Sequence, residues 1–183
     1  MMTVHSVLDA FTAWECDRIV AAIADVPTNE AKLVGGNRNH IQRNANLVWM
    51  DDVGELSWVM TRLIEVVSHS NNQKFNFDLR EFAESPQIAT YDAANGAHFA
   101  WHSDIGLGRV AFKRKLTLVL QLSNPETYDG GDLEIRPSAQ IELANRAQGA
   151  VSVFPSFALH QVTPIEWGIR RSLTVWAHGP AFR

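Results

Sequence analysis

KLTLVLQL at residues 115–122 sets four leucines in alternation with more polar side chains. Successive residues of a β-strand point to opposite faces of the sheet. The leucines at 116, 118, 120 and 122 therefore share one face, while Thr117, Val119 and Gln121 share the other. We expect a strand whose aliphatic face packs under other elements and whose second face lines a more polar space.

A second strand, predicted at residues 171–176 (RSLTVW), has the same pattern, which Arg170 before it continues. Its aliphatic residues, Leu173 and Val175, share one face. The polar and aromatic residues of the other face are Arg170, Ser172, Thr174 and Trp176. Two such strands are typical of a sandwich that is covered by helices on its outer side and has a polar cavity inside.

Two helices are predicted in the first third of the chain. Ser6 or Asp9 is expected to cap the first helix, and Val26–Pro27 to end it. The buried face of this helix would consist of Leu8, Phe11, Ile19, Ala22 and Ile23. Three- and four-residue spacing predicts a second helix with the buried residues Leu56, Val59, Met60, Leu63, Val66 and Val67.

The rest of the chain is rich in strand signals separated by turns. Further strands are predicted at residues 75–79, 87–91, 132–135, 150–154 and 159–163. Helices followed by many short strands indicate an α+β protein with a sandwich or barrel of the jelly-roll kind. Because no linker or repeat is visible, we expect one domain spanning residues 1–183, with a helical part to about residue 72 and a β core from about residue 73.

Composition limits the classes of function. The formal net charge of -4 argues against a general nucleic-acid binder, and the basic cluster at residues 109–115 is expected to be a solvated turn. Cys16 is the single cysteine, which excludes a disulfide framework and a thiolate zinc cluster. The segment MMTVHSVLDAF has no signal-peptide pattern and no run of about 20 apolar residues is present, so a soluble, cytoplasmic protein without a membrane partner is expected.

His102 and Asp104 form an H-x-D triplet whose two side chains would project to the same side of extended backbone. His160, which follows a tight turn, is the best third ligand. Two histidines and one carboxylate leave open metal positions, as in non-haem iron(II) oxygenases. Arg170 and Ser172 could hold a distant carboxylate of a keto acid that chelates the metal, although Arg171 is a rival because strand register is open.

At this point the chain resembles the prolyl-4-hydroxylase-like branch of the 2-oxoglutarate/iron(II) dioxygenases, near the bacterial PKHD-type hydroxylases. The resemblance extends from about residue 8 to residue 183 and rests on blocks in a fixed order. These blocks are YDAANG at 91–96, FAWHSD at 99–104, KLT at 115–117, QLS at 121–123, YDGGDLE at 128–134, FPS at 154–156, HQVTP at 160–164 and GIRRSL at 168–173.

The resemblance implies a double-stranded β-helix with supporting N-terminal helices. It implies that His102, Asp104 and His160 bind iron, that Arg170 rather than Arg171 binds the distal carboxylate of 2-oxoglutarate, and that Ser172 and Tyr91 assist it. Iron(II), 2-oxoglutarate and oxygen are the implied cofactors, with ascorbate as a candidate accessory reductant. The substrate would be a C–H bond of a peptide, protein or amino acid, with a prolyl residue as the default.

The sequence also predicts where several aromatic residues and two loops lie relative to the site. Trp101 is expected to wall the substrate cavity, whereas the tryptophans at 14, 49, 58 and 176 are expected in the core. Phe99 stands where tyrosine is common in the family. The loop at residues 106–113 and the polar segment at 35–46 are candidate lids.

Three other functions compete with the oxygenase. A cupin-like metal-binding jelly roll (an isomerase, a lyase or a sensor) would not need Arg170 and Ser172 after the last histidine. A zinc hydrolase would need a general base, and no glutamate adjoins the triplet. A non-catalytic binding scaffold would not need the intact ligand set.

Overall fold

The computed structural model describes residues 3–30, 42–53 and 56–182. Within these ranges the chain forms two α-helices, α1 (Ala13–Ala22) and α2 (Ser57–Ser70). The strands are β1 (His5–Val7), β2 (Asn29–Glu30), β3 (Arg43–Asn44), β4 (Asn46–Trp49), β5 (Gln87–Asp92), β6 (His98–His102), β7 (Arg114–Gln121), β8 (Tyr128–Gly130), β9 (Leu133–Arg136), β10 (Glu142–Leu143), β11 (Val151–Pro155), β12 (Leu159–Val162) and β13 (Ile165–His178). No helix of these ranges is long and apolar enough to cross a bilayer.

The strands build two antiparallel sheets. The major sheet has the order β1-β11-β7-β13-β5-β4-β2, with β8 paired to the start of β13, and the minor sheet has the order β10-β9-β12-β6-β3. The architecture is therefore an α+β jelly roll with N-terminal helices, as expected from the sequence. Five predicted strands, at 87–91, 116–122, 132–135, 150–154 and 159–163, are confirmed to within one or two residues at each end, and β13 is longer than the predicted segment.

The two central strands, β7 and β13, pair so that their aliphatic faces coincide. Leu118 lies opposite Val175, and Leu120 lies opposite Leu173. These side chains are buried in one core with residues of both helices, including Ile19 of α1. Since a fully buried leucine contributes about 1.5–3 kcal/mol, this layer holds the helices on the outer face of the major sheet. A second core fills the space between the two sheets.

The first helix begins later and ends earlier than predicted. Residues 5–7 pair with β11 instead of leading into a helix. The cap is Thr12, not Ser6 or Asp9: its hydroxyl accepts a hydrogen bond from Glu15 N at 3.2 Å, and Glu15 Oε2 accepts one from Thr12 N at 2.8 Å. This capping box satisfies two free N–H groups at the helix start. The helix ends at Ala22 and is capped by Ile23, three residues before Val26.

The predicted strand at residues 75–79 is wrong. A π-helical turn extends α2 through Asn71–Phe75, and Asn76 then takes a left-handed conformation. The Asn71 amide makes both local backbone hydrogen bonds of Phe77: Oδ1 accepts from Phe77 N and Nδ2 donates to Phe77 O, each at 2.9 Å. Because a side chain satisfies these groups, the alternating aromatics pack on the core without a partner strand.

Replacing the buried Asn71 by alanine should lower the free energy of unfolding by about 1–3 kcal/mol, since two backbone groups of Phe77 lose their partners. Urea denaturation checks this. The neighbouring Asn72 is exposed, so Asn72→Ala is the matched control and should change stability by under about 0.5 kcal/mol. Equal effects of the two substitutions would contradict the role assigned to Asn71.

Candidate metal centre

Three metal-ligating side chains converge between the two sheets. Strands β6 and β12 place His102 directly opposite His160, and Asp104 follows two residues after His102. One nitrogen or oxygen of each residue lies within 4.8 Å of the others. His102 Nε2 is 3.7 Å from Asp104 Oδ1, and His160 Nε2 is 3.5 Å from Asp104 Oδ2. The structure thus brings together the three residues predicted as ligands.

Both imidazoles are oriented by backbone carbonyls. His102 Nδ1 lies 2.8 Å from Ala100 O, and His160 Nδ1 lies 3.0 Å from Ala158 O. A carbonyl accepts only from a protonated nitrogen, so Nδ1 carries the hydrogen and the Nε2 lone pair faces the cluster. Burial, and then the neighbouring His160, lowers the pKa of His102 to about 3. A neutral imidazole with a free Nε2 is the form that binds a cation.

The carboxylate of Asp104 is held by hydrogen bonds from the major sheet. Its Oδ2 accepts from Thr117 Oγ1 at 2.7 Å and from Trp176 Nε1 at 2.9 Å. Burial favours the neutral acid, but the adjacent His160 and His102, with Arg114 and the Thr117 hydroxyl, hold the pKa of this carboxyl below its usual range. The carboxylate is therefore ionised and fixed in direction. These features fit the donor set of an iron(II) site of the two-histidine, one-carboxylate type.

The turn after β11 connects two of the three side chains. Asp104 N donates to Ser156 O at 2.9 Å, and Ala158 N donates to Pro155 O at 2.8 Å. Ser156 N in turn donates to Lys115 O at 2.9 Å, which ties the turn to β7. The tight turn predicted before His160 therefore positions Asp104 as well.

A buried ion cluster supports the same region. Arg114 Nε donates to Glu84 Oε2 at 2.6 Å, and its Nη1 donates to the carbonyl oxygen of Asp104 at 3.0 Å. His178 Nε2 lies 2.9 Å from Glu84 Oε2. The expectation of a solvated turn at residues 109–115 is thus wrong for Arg114 and Lys115, which are buried, while Arg109 is exposed.

The three metal-ligating residues, His102, Asp104 and His160, face a cavity of about 780 Å³ between the sheets. Arg170, Ser172 and Tyr91 line this cavity with the three ligating residues. Arg170 is 2 % exposed, its Nη1 is 3.5 Å from Ser172 Oγ, and its guanidinium carbon is 5.5 Å from the Tyr91 ring centre. Arg171 lies on the opposite face of β13 and does not line the cavity.

A glycine leaves room for this arginine. Gly131 has a φ of +64°, and a Cβ built there would lie 2.1 Å from Ile165 Cδ1 and 3.1 Å from Arg170 Cδ. A side chain at this position would therefore clash with Ile165 and press on Arg170, and the backbone favours glycine for its conformation as well.

An irregularity in β6 changes which aromatic residues face the cavity. The register runs from His160 opposite His102 to Val162 opposite Phe99, so β6 carries one extra residue. Phe99 and His102 consequently lie on one side, and their rings stack with centres 3.4 Å apart. Trp101 is exposed and does not line the cavity, so the expectation that it walls the substrate site is wrong.

Four residues of the site were not identified from the sequence. Thr117 and Trp176 bond the Asp104 carboxylate, Arg114 bonds the Asp104 carbonyl, and Arg43 lines the cavity. The strand pattern does place Thr117 and Trp176 on the inner faces of their strands, and this was the one feature of the sequence that could have identified them as site residues. Trp176, which is expected in the core, is buried, but it lines the cavity and donates a hydrogen bond to Asp104. Trp14, also assigned to the core, is 65 % exposed.

The candidate lids are only partly described. Residues 35–41 lie outside the described ranges, while Gln42 and Arg43 line the cavity. Of the loop at 106–113, residues 108–111 line the cavity.

The sequence of this region matches a known family. The model of the 2OG-Fe(II) oxygenase superfamily matches residues 86–178, which is more than half of the chain and includes every residue of the metal cluster. The chain belongs to the 2OG-Fe(II) oxygenase superfamily. Iron(II) and 2-oxoglutarate are the cofactors that membership and the His-Asp-His cluster imply for this oxygenase.

Individual proteins are similar to this chain in sequence or in fold. The oxygenase is 27 % identical over 173 residues to a PKHD-type hydroxylase of Synechococcus sp. strain JA-2-3B'a(2-13), a match that covers 92 % of this chain and 75 % of the relative. A Pseudomonas putida prolyl-4-hydroxylase has the same fold with a TM-score of 0.76 at 20 % identity, covering 99 % of this chain and 95 % of that one. A Trichoplax adhaerens prolyl hydroxylase, solved with a peptide fragment of hypoxia inducible factor, has a TM-score of 0.79 at 13 % identity, covering 96 % and 83 %.

Substituting Glu84 by glutamine should destabilise the oxygenase at pH 7 by about 3 kcal/mol, because Arg114 loses its buried counter-ion. Burial opposes ionisation of Glu84, but hydrogen bonds from His178 and Arg114 lower its pKa below its ordinary value of 4.5. A lowered folded-state pKa gives stability that is complete above pH 4.5 and is lost as the pH falls through the folded value. The difference between wild type and variant should therefore shrink below about pH 4.5 in urea titrations.

The exposed Glu65 of α2 supplies the control, and Glu65→Gln should be nearly neutral at every pH. A wild-type advantage over Glu84→Gln that grew toward pH 3 would have the opposite sign and refute the assignment.

Proposed function

We propose that this oxygenase is a hydroxylase in which His102, Asp104 and His160 bind iron(II). The observation that carries the proposal is their convergence within 4.8 Å, with Arg170 buried in the same cavity. Both Nε2 atoms are free of protons when the backbone carbonyls hold Nδ1, and Asp104 Oδ1 makes no hydrogen bond within the described residues while Oδ2 accepts two. Three ligand atoms on one side leave the other positions of an octahedral ion open.

Arg170 is proposed to bind the distal carboxylate of 2-oxoglutarate, with help from Ser172 and Tyr91. Arg170 has no acidic partner within the described residues although it is almost fully buried, and an unpaired buried guanidinium is costly unless an anion joins it. Arg170 and Tyr91 lie opposite each other on β13 and β5. Their positions would let one carboxylate meet a cation and two hydroxyl groups.

When bound together, iron(II), 2-oxoglutarate and oxygen supply the oxidation of a C–H bond to C–OH, with 2-oxoglutarate converted to succinate and carbon dioxide. The chain orients the participants and limits access of water. Thr117 and Trp176 hold the Asp104 carboxylate in one direction through hydrogen bonds, and the aliphatic residues of the cavity exclude solvent around the cosubstrate. The aliphatic lining residues are Leu47, Val119, Leu133 and Val162.

The proposed substrate class is an amino acid, free or within a peptide or protein, with prolyl as the first residue to test. Support comes from the PKHD-type relatives and from the fold shared with prolyl hydroxylases. We further propose that the whole of residues 1–183 acts as one catalytic domain. The shared core of α1, α2 and the major sheet supports this, since the helices cover the back of the strands that carry the site.

His160→Ala should abolish the visible charge-transfer band that iron(II) and 2-oxoglutarate give when they are added to wild-type protein without oxygen. The imidazole supplies one of three protein ligands, and its loss should weaken iron binding by at least about tenfold. His69, exposed on α2, provides the control: His69→Ala should keep the band. Absence of the band in wild type, or its persistence in His160→Ala, would refute the proposed site.

Arg170→Ala should raise the half-saturating concentration of 2-oxoglutarate by about tenfold or more and leave iron affinity nearly unchanged. Anaerobic titration of the band with 2-oxoglutarate, and of the protein with iron(II), separates the two. Arg171→Ala is the matched control, because its side chain belongs to the opposite face of the same strand. Parallel losses of iron and 2-oxoglutarate in Arg170→Ala would indicate a folding defect rather than a lost carboxylate contact.

A further inference from the structure

Arg43 holds a fixed guanidinium beside the metal cluster. Strand β3 pairs with β6 so that Arg43 lies opposite Phe99. The guanidinium carbon is 4.5 Å from the Phe99 ring centre, and that ring is stacked at 3.4 Å on the imidazole of His102. Arg43 Nη2 donates to Gln87 Oε1 at 2.7 Å. An aromatic face and an amide therefore hold the cation one ring away from a proposed iron ligand.

The guanidinium of Arg43 has N–H groups that make no hydrogen bond within the described residues. Arg43 Nε is buried and has no hydrogen-bond partner, and no carboxylate lies within ion-pair distance of Arg43 in the described part of the chain. Arg114, in contrast, is paired with Glu84. An arginine that is held rigidly, lines a cavity and lacks a counter-ion is suited to bind an anionic group of a ligand.

Arg43 and Arg170 serve different regions of the cavity. Arg43 is bonded to Gln87 at one end of β5, whereas Arg170 lies opposite Tyr91, near the other end of the same strand. Four residues of extended chain span about 13 Å. One carboxylate of 2-oxoglutarate is assigned to Arg170, and the other end of that molecule chelates the metal. The cosubstrate therefore supplies no anion to Arg43.

The charge of the cavity points the same way. Its described lining contains four arginines, at positions 43, 109, 114 and 170, and two carboxylates, at 84 and 104. The arginines of this lining therefore outnumber its carboxylates by two, although the whole chain has a net charge of -4. Iron(II) and the dianion of 2-oxoglutarate cancel, so the excess remains when both are bound. A cavity with this field favours an anionic substrate.

We propose that the substrate presents a carboxylate to Arg43, with the exposed Arg109 at the cavity mouth attracting it. This inference rests on the proposed function and specifies the substrate class of the same site. A carboxylate suits one arginine fork, whereas phosphate sites usually combine several cations or free backbone N–H groups. The carboxylate belongs either to a free amino acid or to the C-terminal residue of a peptide.

The test uses holoprotein with iron(II) and 2-oxoglutarate and three sets of probes. The first set is the twenty free L-amino acids, and the second is their carboxamides. The third is a pool of N-acetylated random hexapeptides with free or amidated C-termini. Perturbation of the anaerobic charge-transfer band reports binding, and succinate formation in air reports turnover.

We expect at least one acid to act where its amide does not, and Arg43→Met to raise its half-saturating concentration by at least about tenfold. Arg43→Lys should restore part of the affinity, because it keeps the charge but not the planar fork. Arg136→Met, on the exposed side of β9, is the control and should match wild type. A response to free amino acids or to the free-C-terminus pool identifies the source of the carboxylate.

Three outcomes would each overturn the inference: equal responses to acids and amides, an unchanged acid response in Arg43→Met, or no response to any probe. Failure of the proposed function is distinguishable, because then the charge-transfer band itself would be missing before any probe is added.

Discussion

The pairing of β7 with β13 is the constraint on which the rest of the molecule depends. Leu118 lies opposite Val175 and Thr117 lies opposite Trp176, so the outward faces of both strands are aliphatic while the functional side chains point inward. The outward face binds the two helices through a fully buried aliphatic layer. The inward face supplies Thr117, Arg170, Ser172 and Trp176 to the cavity. A shift of one residue in this register would exchange the two faces and destroy core and site together.

The metal cluster shows how strongly a small site depends on distant chain segments. Asp104 receives hydrogen bonds from Thr117 on β7 and Trp176 on β13, its backbone N–H bonds the turn after β11, and its carbonyl accepts from Arg114. These partners come from three separate parts of the sequence: β7 supplies Arg114 and Thr117, β13 supplies Trp176, and the turn after β11 supplies Ser156. These bonds leave the carboxylate one preferred direction, which reduces the reorganisation needed when an ion binds.

Predictions from local sequence patterns were wrong where a long-range contact or a side chain supplied the hydrogen bonds of the backbone. The N-terminal residues 5–7 carry no strong strand signal, yet the free edge of β11 pairs with them. Phe75 and Phe77 alternate as in a strand, but the Asn71 amide takes the hydrogen bonds that a neighbouring strand would provide. In β6 one extra residue puts Phe99 beside His102 and leaves Trp101 outside. None of these outcomes can be predicted from the spacing of apolar residues within the segment concerned.

The sequence by itself determined the jelly roll, the alternating faces of β7 and β13, and the residues 102, 104 and 160 as candidate ligands, because hydrophobic periodicity and the chemistry of the donor set are local properties. The strand pattern alone left open whether Arg170 or Arg171 faces the cavity, and the family resemblance chose Arg170. The sequence was silent on the partners of Asp104 and on Arg43. Only the tertiary structure decided these points. Strand register, the bulge in β6 and the burial of Arg114 arise from contacts between segments far apart in the chain, and their energies depend on three-dimensional packing that no single segment contains.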